Sequence, residues 1–174
     1  MNVPDFISPI VAYRVWVLSP SGLMSLNGEF WPPNRRLEAS CKRSPDSHEP
    51  PHSACSCGIY ATKSVDQLQR IGYASKGGVY GEVYLWGTVI EHKLGWRAQY
   101  AYPKSFVIQP NLVRWPLWKI EPMAESEKRF ETLLAFNVDI YVQKDMEPHG
   151  DGEIPLWMKE VPPYVLRPHR CDRR

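Results

Sequence analysis

Residues 79–92, Val79-Tyr80-Gly81-Glu82-Val83-Tyr84-Leu85-Trp86-Gly87-Thr88-Val89-Ile90-Glu91-His92, constrain the fold more than any other stretch of the chain. In an extended strand successive side chains point to opposite faces. Val79, Val83, Leu85 and Val89 therefore share one face, and Tyr80, Tyr84, Trp86 and Ile90 the other. Both sets are largely apolar, which is the pattern of a central strand covered on each side. Gly81 and Gly87 mark bulges or close backbone approaches. Lys93-Leu94-Gly95 then turns the chain into a second alternating run, in which Trp96, Ala98, Tyr100 and Tyr102 are interleaved with Arg97 and Gln99. The two runs predict a hairpin whose second strand is half-buried, with Arg97 and Gln99 facing solvent.

The flanking segments supply the rest of a sheet. Residues 11–18 are β-branched and aromatic and stop at Ser19-Pro20-Ser21-Gly22, a strand followed by a turn. Residues 23–26, 58–61, 106–108 and 138–142 are shorter strand candidates. Ser64-Val65-Asp66-Gln67 is a capping box, and Val65, Leu68 and Ile71 follow at helical spacing up to Gly72, a helix of two turns. Residues 126–137, with Phe130, Leu133 and Leu134 on one face, predict a longer amphipathic helix on the sheet. The expected architecture is one α+β domain over residues 1–147. It has a twisted, mainly antiparallel sheet, one short and one longer helix, and long proline-rich loops. Most of the 17 prolines lie outside the predicted strands. Residues 148–174 form a proline-rich tail that wraps the domain through Leu156, Trp157 and Tyr164 or is partly disordered.

Composition narrows the functional classes. Apolar residues make up 43% of the 174, enough for a packed core and too many for a disordered chain. No run approaches the ~18–20 apolar residues of a membrane helix, and no basic flank and apolar stretch opens the chain, so a cytoplasmic protein with no membrane partner is expected. With 21 basic against 19 acidic side chains, the net charge of +2 does not indicate a nucleic-acid partner. A small molecule or another protein is the expected partner. The absence of a Gly-rich phosphate loop, an H-E-x-x-H and a G-x-S-x-G elbow removes P-loop, zincin and serine-hydrolase readings.

Three of the four cysteines fall in one segment together with two histidines: Cys41, His48, His52, Cys55 and Cys57. Three thiolates and one imidazole are a closed tetrahedral zinc set, and Cys41, His52, Cys55 and Cys57 are the candidate ligands. Against this, Cys55 and Cys57 are separated by one residue, where zinc knuckles use two to four. Free thiols, a zinc site and a disulfide from Cys41 to Cys55 or Cys57 are the open alternatives. Glu91-His92 is a candidate acid–base pair, although neighbours on a strand point apart.

Two resemblances follow from the residues around Tyr60. The stretch Gly58-Ile59-Tyr60-Ala61-Thr62-Lys63-Ser64, a short helix, and then Gly81-Glu82-Val83-Tyr84-Leu85-Trp86-Gly87 resembles the poly-ADP-ribose-polymerase type of ADP-ribosyltransferase over roughly residues 11–108. That likeness implies an NAD site with Arg14 in place of the family's strand histidine, Tyr60 as its tyrosine and Gln99 in place of its glutamate. Glutamine cannot accept a proton or carry the charge that stabilises an oxocarbenium-like transition state. The likeness thus implies nucleotide binding by Arg14, Tyr60 and Gln99 with weak catalysis or none, and NAD-dependent transferase activity is the alternative. The C-x-C-G-I-Y-A run also resembles small bacterial and phage-type proteins, a likeness that implies no activity. An interaction module with a zinc-ordered Cys/His loop is the third expectation.

Overall fold

The computed structural model describes residues 8–19, 21–43, 48–70, 79–108, 131–142 and 165–166. In chain order these form β1 (Ile10–Ser19), β2 (Gly22–Met24), β3 (Leu37–Glu38), β4 (Ile59–Thr62), α1 (Val65–Arg70), β5 (Val79–Glu91), β6 (Gly95–Pro103), β7 (Ser105–Ile108), β8 (Asp139–Val142) and β9 (Val165–Leu166). The predicted hairpin is its centre. β5 and β6 pair antiparallel around Lys93-Leu94, with the His92 N–H donating to the Gly95 carbonyl at 2.8 Å. Their register shifts between Trp86 and Val89, where Gly87 adopts φ +76°, so the expected bulge is present.

The sheet differs from the expected open, twisted one: it closes on itself. β1 pairs with β5 along seven positions, from Ile10 opposite Leu85 to Trp16 opposite Val79. β5 pairs with β6, β6 with β4, and β4 returns to β1 through Tyr13 opposite Thr62. The Thr62 hydroxyl reinforces that closure by donating to the Tyr13 carbonyl at 3.2 Å. A ring of four strands has room inside only for small side chains beside a few large ones. Ala12, Ala61, Ala98 and Ala101 accordingly join Trp16, Ile59, Val83 and Leu85 in the core. Closure also forces backbones together. A Cβ on Gly95 would lie 2.0 Å from the Ala61 carbonyl oxygen, so only glycine fits there.

Beyond the ring, β7 pairs with the start of β5, β8 lies parallel to β7, and β9 pairs antiparallel with β8. The inner face of β5, Val79, Val83 and Leu85, is buried, while Tyr80, Tyr84 and Trp86 on the outer face are half-buried. Burial nonetheless pushes the Tyr80 hydroxyl up to about 12. The core continues through Trp16, whose ring meets Trp31 and Phe106 edge-on at 5.5 and 5.3 Å, and Phe106 in turn meets Phe136 at 5.5 Å.

The helices are minor elements. α1 carries its capping box: the Ser64 hydroxyl accepts from the Gln67 N–H at 3.3 Å, and the Gln67 side chain accepts from the Lys63 N–H at 3.0 Å. Of the predicted longer helix, residues 131–134 are helical, burying Leu133 and ending at Asn137 with φ +54°. Gly72, Phe130, Trp157 and most of the 148–174 tail lie outside the described residues; Val165 and Leu166 are the exception. No helix among the described residues is long and apolar enough to cross a membrane.

Candidate metal centre and adjoining cleft

The segment between β3 and β4 has neither strand nor helix periodicity, and its shape is set by where its ends are held. Both ends sit on β6. The Ala39 N–H donates to the Gln99 carbonyl at 2.8 Å, and Ile59 pairs with Ala98. The loop therefore leaves and re-enters the sheet at adjacent positions, which brings Cys41 up against Cys55 and Cys57. Gly58, at φ +119°, makes the return possible: a Cβ there would press on Pro51 and Arg97 at 3.0 and 3.1 Å.

The ligand atoms of Cys41, His48, Cys55 and Cys57 all lie within 4.8 Å of one another. Two edges are shorter: Cys41 Sγ to Cys55 Sγ at 3.7 Å, and Cys57 Sγ to His48 Nε2 at 3.4 Å. On a tetrahedron, ligands at zinc–sulfur and zinc–nitrogen distances stand about 3.8 Å apart for two sulfurs and about 3.6 Å for sulfur and nitrogen, so the two edges lie within about 0.2 Å of such a set. The three thiols are free, with no disulfide among them. The one-residue spacing proves no obstacle. A turn closed by the Cys55 N–H on the His52 carbonyl at 3.0 Å precedes the pair, both sulfurs lie within 4.8 Å of the other ligand atoms, and Ser56 between them is exposed.

The imidazole within the cluster is that of His48 and not of the expected His52, which is exposed, accepts from the Ala54 N–H at 3.3 Å and packs tilted on the His48 ring at 4.8 Å. Within the set the two neighbouring thiols differ. The Cys57 N–H lowers the Cys55 thiol below its ordinary value, and burial raises Cys57 above it, partly opposed by the His52 backbone N–H.

Beside this loop, β1, β4, the stretch after β2 and the β5–β6 turn enclose a cleft of about 490 Å³, lined among others by Arg14, Tyr60, His92, Leu94 and Trp96. That volume suits a small organic ligand. Leu26, Tyr60 and Leu94 bring exposed apolar surface to it. The Tyr60 hydroxyl donates to the Ser56 carbonyl at 2.6 Å, tying the cleft to the cysteine loop. Arg14 donates to the Tyr60 carbonyl and, at 2.8 Å, to the Ser25 hydroxyl, and its guanidinium lies over the Trp31 ring at 5.2 Å.

Arg14 and Tyr60 thus share one cleft, and Gln99 is not among the residues lining it. Gln99 instead accepts from the Thr88 N–H at 3.2 Å, bracing the β5 bulge. Glu91 and His92 part company as well. Glu91 pairs with Lys63, whose ammonium holds its carboxyl below the usual carboxylate range, and His92 accepts from Arg97 Nε at 2.8 Å.

Arg97 overturns its expected place in solvent. It is buried, because the returning cysteine loop covers that face of β6; its Nη1 donates to the carbonyls of Cys55 and Cys57. Alternation correctly assigns Arg97 to the face opposite Trp96, but carries no information on what covers that face. His48 was missed for a similar reason, since an irregular loop offers no period with which to choose between two histidines. No family model, curated protein or solved structure matches this chain, and the site stands on its own geometry.

Proposed function

We propose that the protein is a non-catalytic binding domain whose cleft is shaped by a structural zinc ion held by Cys41, His48, Cys55 and Cys57. The observation that carries this reading is the convergence of three thiols and one imidazole with edges of 3.7 and 3.4 Å. Soft thiolates with an imidazole select zinc over the hard cations. Four protein ligands leave no open coordination position, so the ion orders the loop and activates no water. Metal analysis of the purified full chain is expected to return one zinc per chain, and cobalt substitution to give the intense visible bands of a tetrahedral thiolate site. Substoichiometric metal after incubation with zinc, or an octahedral cobalt spectrum, sinks the proposal.

A second reading concerns the cleft occupant, and the shared cleft of Arg14 and Tyr60 favours it: a nucleotide such as NAD, stacked on Tyr60 and bound without turnover. Two observations support the lack of catalysis. The Arg14 guanidinium is engaged with Tyr60 and Ser25, and Gln99 lies at the β5 bulge. Titration with NAD is expected to show binding that Tyr60→Ala weakens about tenfold, the worth of one stacked base. Labelled NAD should release no nicotinamide, in the native chain or in Gln99→Glu. Release that depends on Arg14 and Tyr60 would establish the transferase alternative instead. No NAD binding at all would remove the nucleotide and leave the zinc-ordered module as an interaction surface for another partner.

A further inference from the structure

Arg97, the third residue of β6, has only 4% of its surface exposed. A buried guanidinium is expensive unless an opposite charge lies beside it. The ion pairs among the described residues are Arg36–Glu38, Lys63–Glu91 and Lys104–Glu82, and Arg97 belongs to none of them. Its partners are all neutral: the carbonyls of Cys55 and Cys57, the His92 imidazole and, at 5.9 Å, the Tyr60 ring. Charge arithmetic at the adjoining cluster supplies the missing anion. Three thiolates, one neutral imidazole and one divalent cation sum to −1, and two of those thiolates belong to the residues whose carbonyls Arg97 holds.

We propose that Arg97 is the counter-ion of the metal–thiolate centre and the positioning residue through which metal occupancy sets the Tyr60–His92 wall of the cleft. The inference rests on the zinc reading above. Two routes connect the centre to the cleft. One runs from the Cys55 and Cys57 carbonyls through Arg97 to His92 Nε2; because an N–H donor needs a lone pair, this bond fixes His92 with its proton on Nδ1. The other runs from the Ser56 carbonyl to the Tyr60 hydroxyl. Both pass through the Cys55-Ser56-Cys57 segment, which the metal anchors at each end. Without metal the Cys55-Ser56-Cys57 segment is no longer anchored, and the carbonyls that hold Arg97 and Tyr60 lose their fixed positions. Linkage makes the effect reciprocal: a cleft ligand that needs Tyr60 and His92 in these positions also tightens metal binding.

The test compares zinc-loaded and chelator-stripped wild type with zinc-treated Arg97→Gln and Arg97→Lys, all as full chains. Zinc affinity is measured by competition with a chromophoric chelator, and the His92 tautomer by long-range proton–nitrogen NMR. Arg97→Gln is expected to weaken zinc about 10–100-fold, the usual effect of losing an outer-shell partner. Arg97→Lys keeps the charge and recovers part of that affinity, but one ammonium cannot reach two carbonyls and His92 together, so the fixed tautomer stays lost. Stripping zinc from wild type should release the same tautomer, a readout that needs no variant to fold. Zinc affinity within twofold of wild type in Arg97→Gln, or a His92 pattern indifferent to zinc, overturns the coupling while leaving the zinc site standing. Failure of the wild-type chain to bind zinc removes the metal reading itself.

Discussion

Removing the proposed zinc ion is expected to lower the thermal midpoint by about 10 °C while the strand ring stays folded. A ligand that binds only the folded chain contributes about 4 kcal/mol when its free concentration is a thousand times its dissociation constant. For a domain of this size each kcal/mol moves the midpoint by about 2–4 °C. The ring has its own core, with Ala12, Trp16, Val83, Leu85, Ala98 and Ala101 fully buried, so the chain does not collapse without metal as an isolated zinc finger does. Melts of the zinc-loaded chain with and without chelator measure the difference. Cys41→Ser, which removes the buried ligand, should melt at the lower temperature whether or not chelator is present. A native chain indifferent to chelator would falsify the contribution. The effect has a definite sign with pH. Metal displaces thiol protons, so protons compete as pH falls and the zinc contribution fades on the acid side; the raised Cys57 thiol strengthens that competition and the lowered Cys55 thiol weakens it.

Trp16→Ala is expected to cost about 3–5 kcal/mol, the range for deleting a large aromatic from a packed core. Trp16 is fully buried, and its ring meets two others edge-on, Trp31 from the stretch after β2 and Phe106 from β7. Through Phe106 the contact extends to Phe136, just after the helical turn at 131–134. Deleting Trp16 therefore opens a cavity where three separate parts of the chain meet, and neighbours anchored in different elements cannot all move to fill it. Denaturant unfolding, followed by the shift in midpoint at constant slope, gives the number. Trp86→Ala provides the contrast, since Trp86 is half-buried on the outer face of β5 and its loss should cost far less. Equal costs for the two substitutions would mean that the core is not centred on Trp16.

Where the signal was local, the sequence carried it. The alternation of Val79, Val83 and Leu85, and the Trp96–Tyr102 run after Lys93-Leu94, were sufficient for the central hairpin because a period-two pattern needs only neighbours. Ring closure depends on one pair, Tyr13 with Thr62, separated by 49 positions, and no local pattern encodes such a meeting. The candidate site divides the same way. Cys41, Cys55 and Cys57 stood out by chemistry alone. The choice of His48 over His52, and the burial of Arg97, follow from the loop being pinned at Ala39 and Ile59 to adjacent positions of β6. Arg14 and Tyr60 meet because β1 and β4 are neighbours in the ring, whereas Gln99 belongs to the bulge.

Closure has a consequence for how the chain behaves in company. A strand with an unsatisfied flank offers its backbone N–H and carbonyl groups to any other extended chain, the usual opening for edge-to-edge aggregation. β1, β4, β5 and β6 each have a strand on both sides, with β2 and β3 completing the flanks of β1 and β6 that the ring leaves over. Among the described residues, the strands with a partner on one side only are β2, β3 and β9, of three, two and two residues. The longest strand, β5, is thereby flanked on both sides from Val79 to Leu85, by β1 on one side and by β7 and then β6 on the other. That half of β5 has no free backbone edge to offer another extended chain.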